Sequence, residues 1–479
     1  MDENKATENI NYSKYKHKAL LVAGLGTFLA TLESSIVNVS LPTIARELTT
    51  SLTMVGWVVL SYSVTIISLL MVFGAVSEKK GFQFSYKCGF IIFGAGSILC
   101  GVSYDIIMLI VSRIIQGVGA AMMISVGAAL ITRSFPENER GRGLAVISMV
   151  VSSGLMLGPS LGGFIISLFG WRWIFLVNVP VAIFGLVFTI KYFGGFPISN
   201  PDRKVSFRGA FSLSLSLLSM ILGLLLWSRG VIGGWQIIVI AAISVMAAGL
   251  FLYFEVNPRT RLIGLDILKN RIFTVSGIAM LLVFVTISSV SVLMPFYLEM
   301  VKGLTPDRVG LFLMIVPAST LIIAPLAGYL SDKLEPRYIT SFGTLVIAFG
   351  IYRIRFISAE ASISEIALVL ILIGLGMGIF STPNNSSMMG AVEKKQLGSA
   401  SGILATIRTL GITFGVGSAI VIFAYYQNRM TEVSSDSTAS FIYGYRSVYD
   451  FILFIIVAAA FISFWRGNNR GGKIQTISE

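Results

Sequence analysis

The residue best placed to do chemistry is a carboxylate inside an apolar segment. Glu33 lies in the run from Ala19 to Ala45, which is otherwise uncharged and long enough to cross a bilayer. A carboxylate at the centre of a membrane span costs roughly 2.5 to 3.5 kcal/mol on insertion scales, so it marks a functional site by default. Glu33 is therefore the first candidate functional residue.

A second charge lies in the predicted fourth span. Arg113 shares one helical face with Gln116, Gly117 and Ala120. A guanidinium keeps its proton and needs a partner in hydrocarbon, and the expected partners are Glu33, backbone carbonyls and cavity water. Two interpretations stay open: Arg113 works together with Glu33, or it only ties two helices together.

The first span has two polar faces. Thr31, Ser34 and Asn38 form one stripe, and Glu33 lies on a face about 120° away. One assignment is that the stripe borders a substrate path while Glu33 faces Arg113. Thr and Ser serve equally well as packing residues that let helices approach closely. The sequence does not fix which face lines a cavity.

Other side chains could contact a substrate in the membrane. Aromatic rings suit flat, lipophilic or cationic ligands, although most such residues in membrane proteins face lipid or the core. The full set of candidate substrate contacts is Thr31, Ser34, Asn38, Trp57, Tyr62, Gln116, Phe296, Tyr297 and Glu299.

Glycines recur at every fourth position of the fifth span. Gly154, Gly158 and Gly162 make a smooth groove for close contact with another helix. Pro159 removes one backbone hydrogen bond and predicts a bend.

The composition places these residues in a polytopic membrane protein. Of 479 residues, 55% are hydrophobic and only 12% are charged, against about 25% in soluble domains. The net charge of +13 comes from short basic clusters between apolar runs, which argues against nucleic acid as a partner. His17 is the single histidine, and the positions of Cys88 and Cys100 in one apolar stretch imply neither a disulfide nor a metal site.

Fourteen apolar runs are long enough to cross roughly 30 Å of hydrocarbon as helices. They lie at roughly 19–41, 54–76, 86–103, 105–132, 144–169, 172–193, 208–228, 235–255, 272–298, 308–330, 338–357, 364–390, 397–425 and 447–466. Most Lys and Arg residues fall in alternate loops, so the positive-inside rule predicts that both termini are cytoplasmic.

A weak internal repeat divides the chain. The segment Gly74–Gly81 after the second span recurs as Gly328–Arg337 after the tenth. The simplest architecture is an all-α membrane protein of two six-helix halves with two inserted helices, and paired halves place a substrate site between them. The predicted segments are a tail at 1–18, a half at 19–193, a linker with the inserted helices at 194–271, a half at 272–466 and a tail at 467–479.

These motifs together resemble the major facilitator superfamily, and within it the fourteen-span drug:proton antiporter family. The similar segments are Leu32–Pro42, Gly74–Gly81, Arg113–Gly119, Gly154–Gly163, Gly170–Pro180, Pro295–Glu299, Gly328–Arg337 and Ser399–Arg408. Three residues depart from that family's pattern: Glu33 stands where Asp is usual, Phe82 replaces a basic loop residue, and Glu299 stands where Gln is common.

The resemblance implies a proton-coupled exporter of hydrophobic or amphipathic drugs that works by alternating access in the plasma membrane. Glu33 and Arg113 would couple transport to protons. We expect no enzymatic activity, no cofactor and no metal, a drug-like small molecule and protons as partners, a lipid bilayer around the chain, no nucleic acid, and a monomer. The motif residues expected to control conformation are Gly74, Glu78, Gly81, Gly154, Gly158, Pro159, Gly162, Asp332, Arg337 and Arg408.

The nature of the substrate stays open in the sequence. Arg113 and Arg408 against Glu33 leave a surplus of positive charge in the spans, which disfavours a strongly cationic ligand unless Glu299 lines the path. Neutral, zwitterionic, metal-chelated and quaternary ammonium compounds all remain candidates. The alternative function is dedicated export of one endogenous metabolite, lipid or peptide; a sensor, a scaffold or an importer has no support in the motifs.

Overall fold

Long α-helices make up nearly all of the computed structural model, which describes residues 16–135, 139–192, 207–228, 232–256, 265–393, 396–431 and 436–467. Hydrocarbon offers no hydrogen-bond partners, so a crossing segment satisfies its backbone groups within its own helix. The first seven helices are α1 (Lys16–Glu47), α2 (Leu52–Lys80), α3 (Phe82–Gly101), α4 (Ile106–Ser134), α5 (Arg140–Phe169), α6 (Trp173–Leu176) and α7 (Asn178–Tyr192). The remainder are α8 (Phe207–Ser228), α9 (Trp235–Val256), α10 (Arg271–Phe296), α11 (Pro306–Lys333), α12 (Pro336–Ile354), α13 (Ile363–Gly390), α14 (Leu397–Thr431) and α15 (Ser437–Phe464).

Short turns join the first helices. Ser51 and Asp105 cap α2 and α4 by accepting hydrogen bonds from backbone N–H groups of the first turn. Gly81 and Gly170 end α2 and α5 with φ of +91° and +87°, a region that favours glycine because it has no Cβ.

Several predicted span boundaries are wrong. The last span was expected at 447–466, but α15 begins at Ser437, where Asp436 accepts a hydrogen bond from the N–H of Thr438. The predicted span at 172–193 agrees with the apolar segment Trp173–Tyr192, within which a turn at Val177 separates α6 from α7. Hydropathy reports the apolar part of a helix, whereas the hydrogen-bonded backbone continues through polar and aromatic residues at its ends.

Twelve segments in the described residues are long and apolar enough to cross a membrane, with α6 and α7 together counted as one. The two helices that make up the predicted fourteen are α8, of which only Phe211–Gly223 counts as an apolar segment, and α12, which carries Arg337 and Arg353 near its ends. The all-α membrane architecture predicted from the sequence is confirmed.

The helices pack as two similar bundles. In the first, α1 lies against α5, and α4 lies against both α2 and α3; in the second, α10 lies against α14, and α13 lies against both α11 and α12. The pattern therefore repeats with an offset of nine helices. α8 and α9 pair with each other, and α8 also contacts α2 and α14.

The two faces of the bundle are named here by the orientation that the basic residues predict. The outer face holds the turn between α1 and α2, and the inner face holds the start of α1. Across the halves, α5 packs on α11 and α2 packs on α14. At the outer end Gly163 and Gly310 bring the α5 and α11 backbones so close that an added Cβ at either would collide with the other helix.

The inner end of the first half has an apolar cluster of its own. It includes Ala19, Phe90 and Leu130, and Ala405 is the one residue of the second half that packs against it within the described part of the chain. A larger cluster joins both halves through residues such as Ile36 and Met294. Among the described residues, the contacts between the halves thus concentrate at the outer end, which is the pattern expected of an inward-facing arrangement.

Candidate functional site

Glu33 forms an ion pair with Arg113 in the interior of the first half. Arg113 Nη1 donates to Glu33 Oε1, and the side chains are 0% and 1% exposed, respectively. The second carboxylate oxygen, Oε2, accepts a hydrogen bond of 2.5 Å from Asn178 Nδ2. α1, α4 and α7 thus each contribute one side chain, and the pairing expected between Glu33 and Arg113 is present.

Further contacts fix Arg113. Its Nε donates to the carbonyl oxygen of Val58 at 3.0 Å, and its Nη1 donates to Gln116 Oε1 at 2.5 Å. Gln116 Nε2 in turn donates to Ser97 Oγ at 2.8 Å. The ring of Tyr62 lies 4.1 Å from the guanidinium carbon, close enough for a cation–π interaction.

This arrangement makes the charge state of Glu33 decisive. A proton on the carboxyl would remove one charge of a fully buried ion pair and leave Arg113 with only neutral acceptors and aromatic rings. Losing one partner of a buried pair costs about 3 to 5 kcal/mol, so the surrounding helices would favour a different packing.

Asn178 is not among the site residues expected from the sequence. Its amide also donates to the carbonyl oxygen of Ile174 at 3.1 Å. Two signals point to it: a polar residue within an apolar span, and its place in the Gly170–Pro180 motif.

The polar stripe of the first span lies on a different face from Glu33. Thr31, Ser34 and Asn38 are partly exposed, whereas Glu33 is fully buried. Asn38 Nδ2 donates to Ser291 Oγ of α10 at 2.8 Å, so the outer part of this stripe touches the second half. The stripe accordingly lies at the boundary between the halves, while Glu33 points into the first half.

Four of the residues predicted to contact substrate are buried in this structure. Tyr62 and Gln116 belong to the network around Arg113. Phe296 is buried in the core, and the Tyr297 ring stacks on Tyr445 at 5.3 Å. The sequence could not separate these positions from cavity positions because aromatic residues occupy both. Trp57 is partly buried and packs against the core that joins the two halves.

Glu299 lies at the outer end of the bundle. It pairs with Arg46 across a distance of 2.7 Å, and Thr43 Oγ1 lies 3.3 Å from both of its carboxylate oxygens. Because Arg46 and Thr43 belong to α1, this cluster joins the two halves. A contact of Glu299 with substrate stays a prediction.

The glycine motif of the fifth span packs on α1. An added Cβ at Gly154 or Gly158 would collide with the hydroxyl oxygen of Thr31 or Ser35. Ser35 Oγ also donates to the carbonyl oxygen of Gly154 at 3.1 Å. α5 remains one helix through Pro159, whose carbonyl oxygen lies at the contact with Gly310.

The remaining motif residues lie near the inner face, away from the ion pair. Around Gly74 nothing would meet an added Cβ, and Glu78 lies in the last turn of α2, before Gly81. Arg337 pairs with Glu335 at 2.7 Å; the side chain of Asp332 lies outside the described residues. Arg408 on α14 is half-buried. Within the described residues, no group of three or more His, Cys, Asp and Glu is arranged to hold a metal.

Comparisons of this chain with a family model and with known proteins agree on one family. The sequence model of the Major Facilitator Superfamily matches residues 23–416. The riboflavin transporter RibZ of Clostridioides difficile (strain 630) is 32% identical over 414 residues, which are 86% of this chain and 89% of RibZ. The multidrug resistance protein Stp of Mycobacterium tuberculosis (strain ATCC 25618 / H37Rv) is 30% identical over 406 residues, 83% of this chain and 74% of Stp.

One further exporter and one crystal structure are also similar to this chain. The multidrug export protein EmrB of Escherichia coli (strain K12) is 28% identical over 400 residues, 82% of this chain and 78% of EmrB. A crystal structure of a bacterial homologue of the human lysosomal transporter Spinster, inward-facing and unoccupied, superimposes with a TM-score of 0.64 at 16% identity, covering 95% of this chain and 97% of that one. At that identity the likeness is one of fold alone.

Proposed function

The chain belongs to the major facilitator superfamily, and we propose that this multi-span membrane transporter exports hydrophobic or amphipathic compounds in exchange for protons. The observation that carries the proposal is the buried ion pair of Glu33 and Arg113 beside the face where the two halves separate. An ionisable pair inside a membrane protein costs free energy and therefore marks a functional site. A carboxylate can bind and release a proton, so we assign Glu33 the role of proton carrier.

The proposed cycle alternates the charge of Glu33. With the carboxylate paired to Arg113, the inward-facing state takes up a compound between the halves from the inner side. After reorientation, a proton from the outer side neutralises Glu33 and weakens its hold on Arg113. Loss of that proton toward the inner side restores the pair. The compound and the proton thus need not share a contact, because the stripe and Glu33 lie on different faces of α1.

The proton gradient supplies enough energy for this exchange. Each charge that crosses the membrane releases about 2.3 kcal/mol per 100 mV. That corresponds to roughly fifty-fold accumulation for one proton per compound.

The related proteins support two substrate classes. Stp and EmrB are named for multidrug resistance and export, which favours a broad range of hydrophobic compounds. RibZ is named a riboflavin transporter, which favours a second candidate, dedicated transport of one metabolite. Competition among unrelated drugs for efflux of one dye supports the first candidate, and competition only by close analogues of a single metabolite supports the second.

We place the transporter in the cell membrane as a monomer with both termini in the cytoplasm. This orientation rests on the distribution of the basic residues. Its partners would be the transported compound, protons and lipid, without a cofactor or nucleic acid.

Substitution of Glu33 tests the proposed coupling. In everted membrane vesicles, Glu33→Gln should abolish dye accumulation driven by an imposed pH gradient, because the amide cannot carry a proton. Glu360→Gln, at an exposed position, is the matched control and should transport normally. Gradient-driven transport at the native rate by Glu33→Gln would rule out Glu33 as the proton carrier.

A further inference from the structure

Two arginines of the second half have no carboxylate partner among the residues that the structure describes. Arg408 on α14 makes no hydrogen bond or ion pair with any group in the described part of the chain. Arg466, just after α15, is 3% exposed, and its acceptors among the described residues are neutral, Ser276 Oγ at 3.2 Å and Asn384 Oδ1 at 3.5 Å. A guanidinium in such surroundings keeps its charge and lacks compensation.

Arg408 lies on the face of α14 that looks toward the first half. Ile407, Gly411 and Gly415 contact α10 on one side of the helix. Ala405, on the other side, packs against the inner cluster of the first half. At 100° per residue around the helix, Arg408 lies between the residues that contact α10 and Ala405, and its side chain is half-buried. It therefore borders the space between the halves, which the inward-facing arrangement opens.

Arg466 adds a second positive charge at nearly the same depth. Its acceptor Ser276 precedes Gly277, where an added Cβ would lie 2.9 Å from Ile407. Its guanidinium remains protonated at neutral pH. Arg466 lies at the inner end of a helix, where a basic residue also helps to orient the protein in the membrane. Arg408, by contrast, lies several turns inside α14.

The neighbouring acids are already paired. Glu33 neutralises Arg113 within the first half, and Glu299 pairs with Arg46 at the outer end. Glu335 at the inner face pairs with Arg337. Among the described residues named here, Arg408 and Arg466 thus add positive charge that no carboxylate offsets.

We propose that Arg408 binds the anionic group of the transported compound, so that the substrate class is organic anions with an apolar body, such as aromatic carboxylates. This inference rests on the proposed function and narrows it. A carboxylate accepts hydrogen bonds from a guanidinium and supplies the charge that the protein lacks there, and the field of Arg466 adds to the attraction. A cationic compound would meet repulsion from both groups.

The test measures equilibrium binding with a matched pair of probes. Purified protein in nanodiscs of zwitterionic phosphatidylcholine is titrated with 7-diethylaminocoumarin-3-carboxylate and with its uncharged primary amide. The native protein should bind the carboxylate about tenfold more tightly than the amide, the ratio expected for one charge-assisted hydrogen bond. Arg408→Gln should remove that preference without changing the affinity for the amide, and Arg408→Lys should retain part of it.

Control variants and lipids separate the alternatives. Arg429→Gln removes an exposed arginine from the same helix and should leave the preference intact. Equal binding of the two probes by the native protein overturns the proposal, as does an equal loss for both probes in Arg408→Gln, which would indicate a packing role. Loss of the preference when phosphatidylglycerol is added would assign Arg408 to lipid phosphate and also overturn it.

A transport measurement on the same samples distinguishes this proposal from the broader one. If the carboxylate binds through Arg408 but no pH gradient drives its flux in proteoliposomes, proton-coupled export fails and the anion site stands. If a gradient drives flux of both probes equally and Arg408→Gln has no effect, the exporter stands and the anion site fails.

Discussion

At the scale of single residues, the buried carboxylate depends on donors from other helices. Arg113 and Asn178 bind separate oxygens of Glu33, and Gln116 accepts a hydrogen bond from the Arg113 guanidinium. A fully buried ion pair is stable only when its remaining hydrogen-bonding capacity is used, which is the role that Asn178 fills. The pair is thus one unit, and changes within it should not be additive.

Asn178→Ala tests this coupling. Removing the amide leaves Glu33 Oε2 without its donor, which should lower the stability of the purified protein in detergent by about 1.5 to 3 kcal/mol. The same change in a Glu33→Gln background should cost less, because the partner is then neutral. A double-mutant cycle of unfolding measurements gives the coupling energy. Equal costs in both backgrounds would mean that Asn178 acts through its bond to the Ile174 carbonyl alone.

At the scale of elements, the contact between α5 and α1 depends on the absence of side chains. Gly154 and Gly158 let the α5 backbone lie against Thr31 and Ser35. α1 carries both Glu33 and the polar stripe, so this contact positions the charged face and the accessible face together. Close backbone approach through small residues is a main source of helix association in membranes.

Gly158→Ala should disrupt that contact. Its Cβ would collide with the Ser35 hydroxyl, and such overpacking costs about 1 to 3 kcal/mol. Adding Ser35→Gly should recover most of the loss, because it removes the colliding atoms. Gly249→Ala on α9, where an added Cβ meets nothing, is the control and should be tolerated. Thermal unfolding in detergent measures all of these variants. An unchanged midpoint for Gly158→Ala would show that α1 and α5 can separate without loss.

At the scale of the whole molecule, the inward-facing arrangement is held by contacts at the outer end. The Arg46–Glu299 pair and the Asn38–Ser291 hydrogen bond join α1 to the second half. These bonds must break before the outer side opens, so they set part of the balance between the two states.

Glu299→Gln should shift that balance toward the outward-facing state. The amide loses the charge attraction to Arg46, so a larger fraction of molecules should have separated outer ends. This separation can be measured as the distance between spin labels at Thr50 and Met300 by double electron–electron resonance. The labels are introduced in a background in which Cys88 and Cys100 are replaced by alanine. Glu365→Gln breaks the Arg353–Glu365 pair within the second half and is the matched control. Identical distance distributions for Glu299→Gln and the control would contradict the view that the Arg46–Glu299 pair holds the outer ends together.

The sequence alone determined the membrane architecture, the repeat, the buried carboxylate and arginine, and the glycine groove, because each is a local pattern of hydropathy, charge or spacing. Tertiary structure decided which of these residues meet. The Asn178–Glu33 bond, the Arg46–Glu299 pair, the burial of Tyr297 and the absence of a partner for Arg408 among the described residues all depend on distances between helices far apart in the chain. Side-chain contacts between spans leave no periodic signal in either segment, so only the packed bundle reveals them.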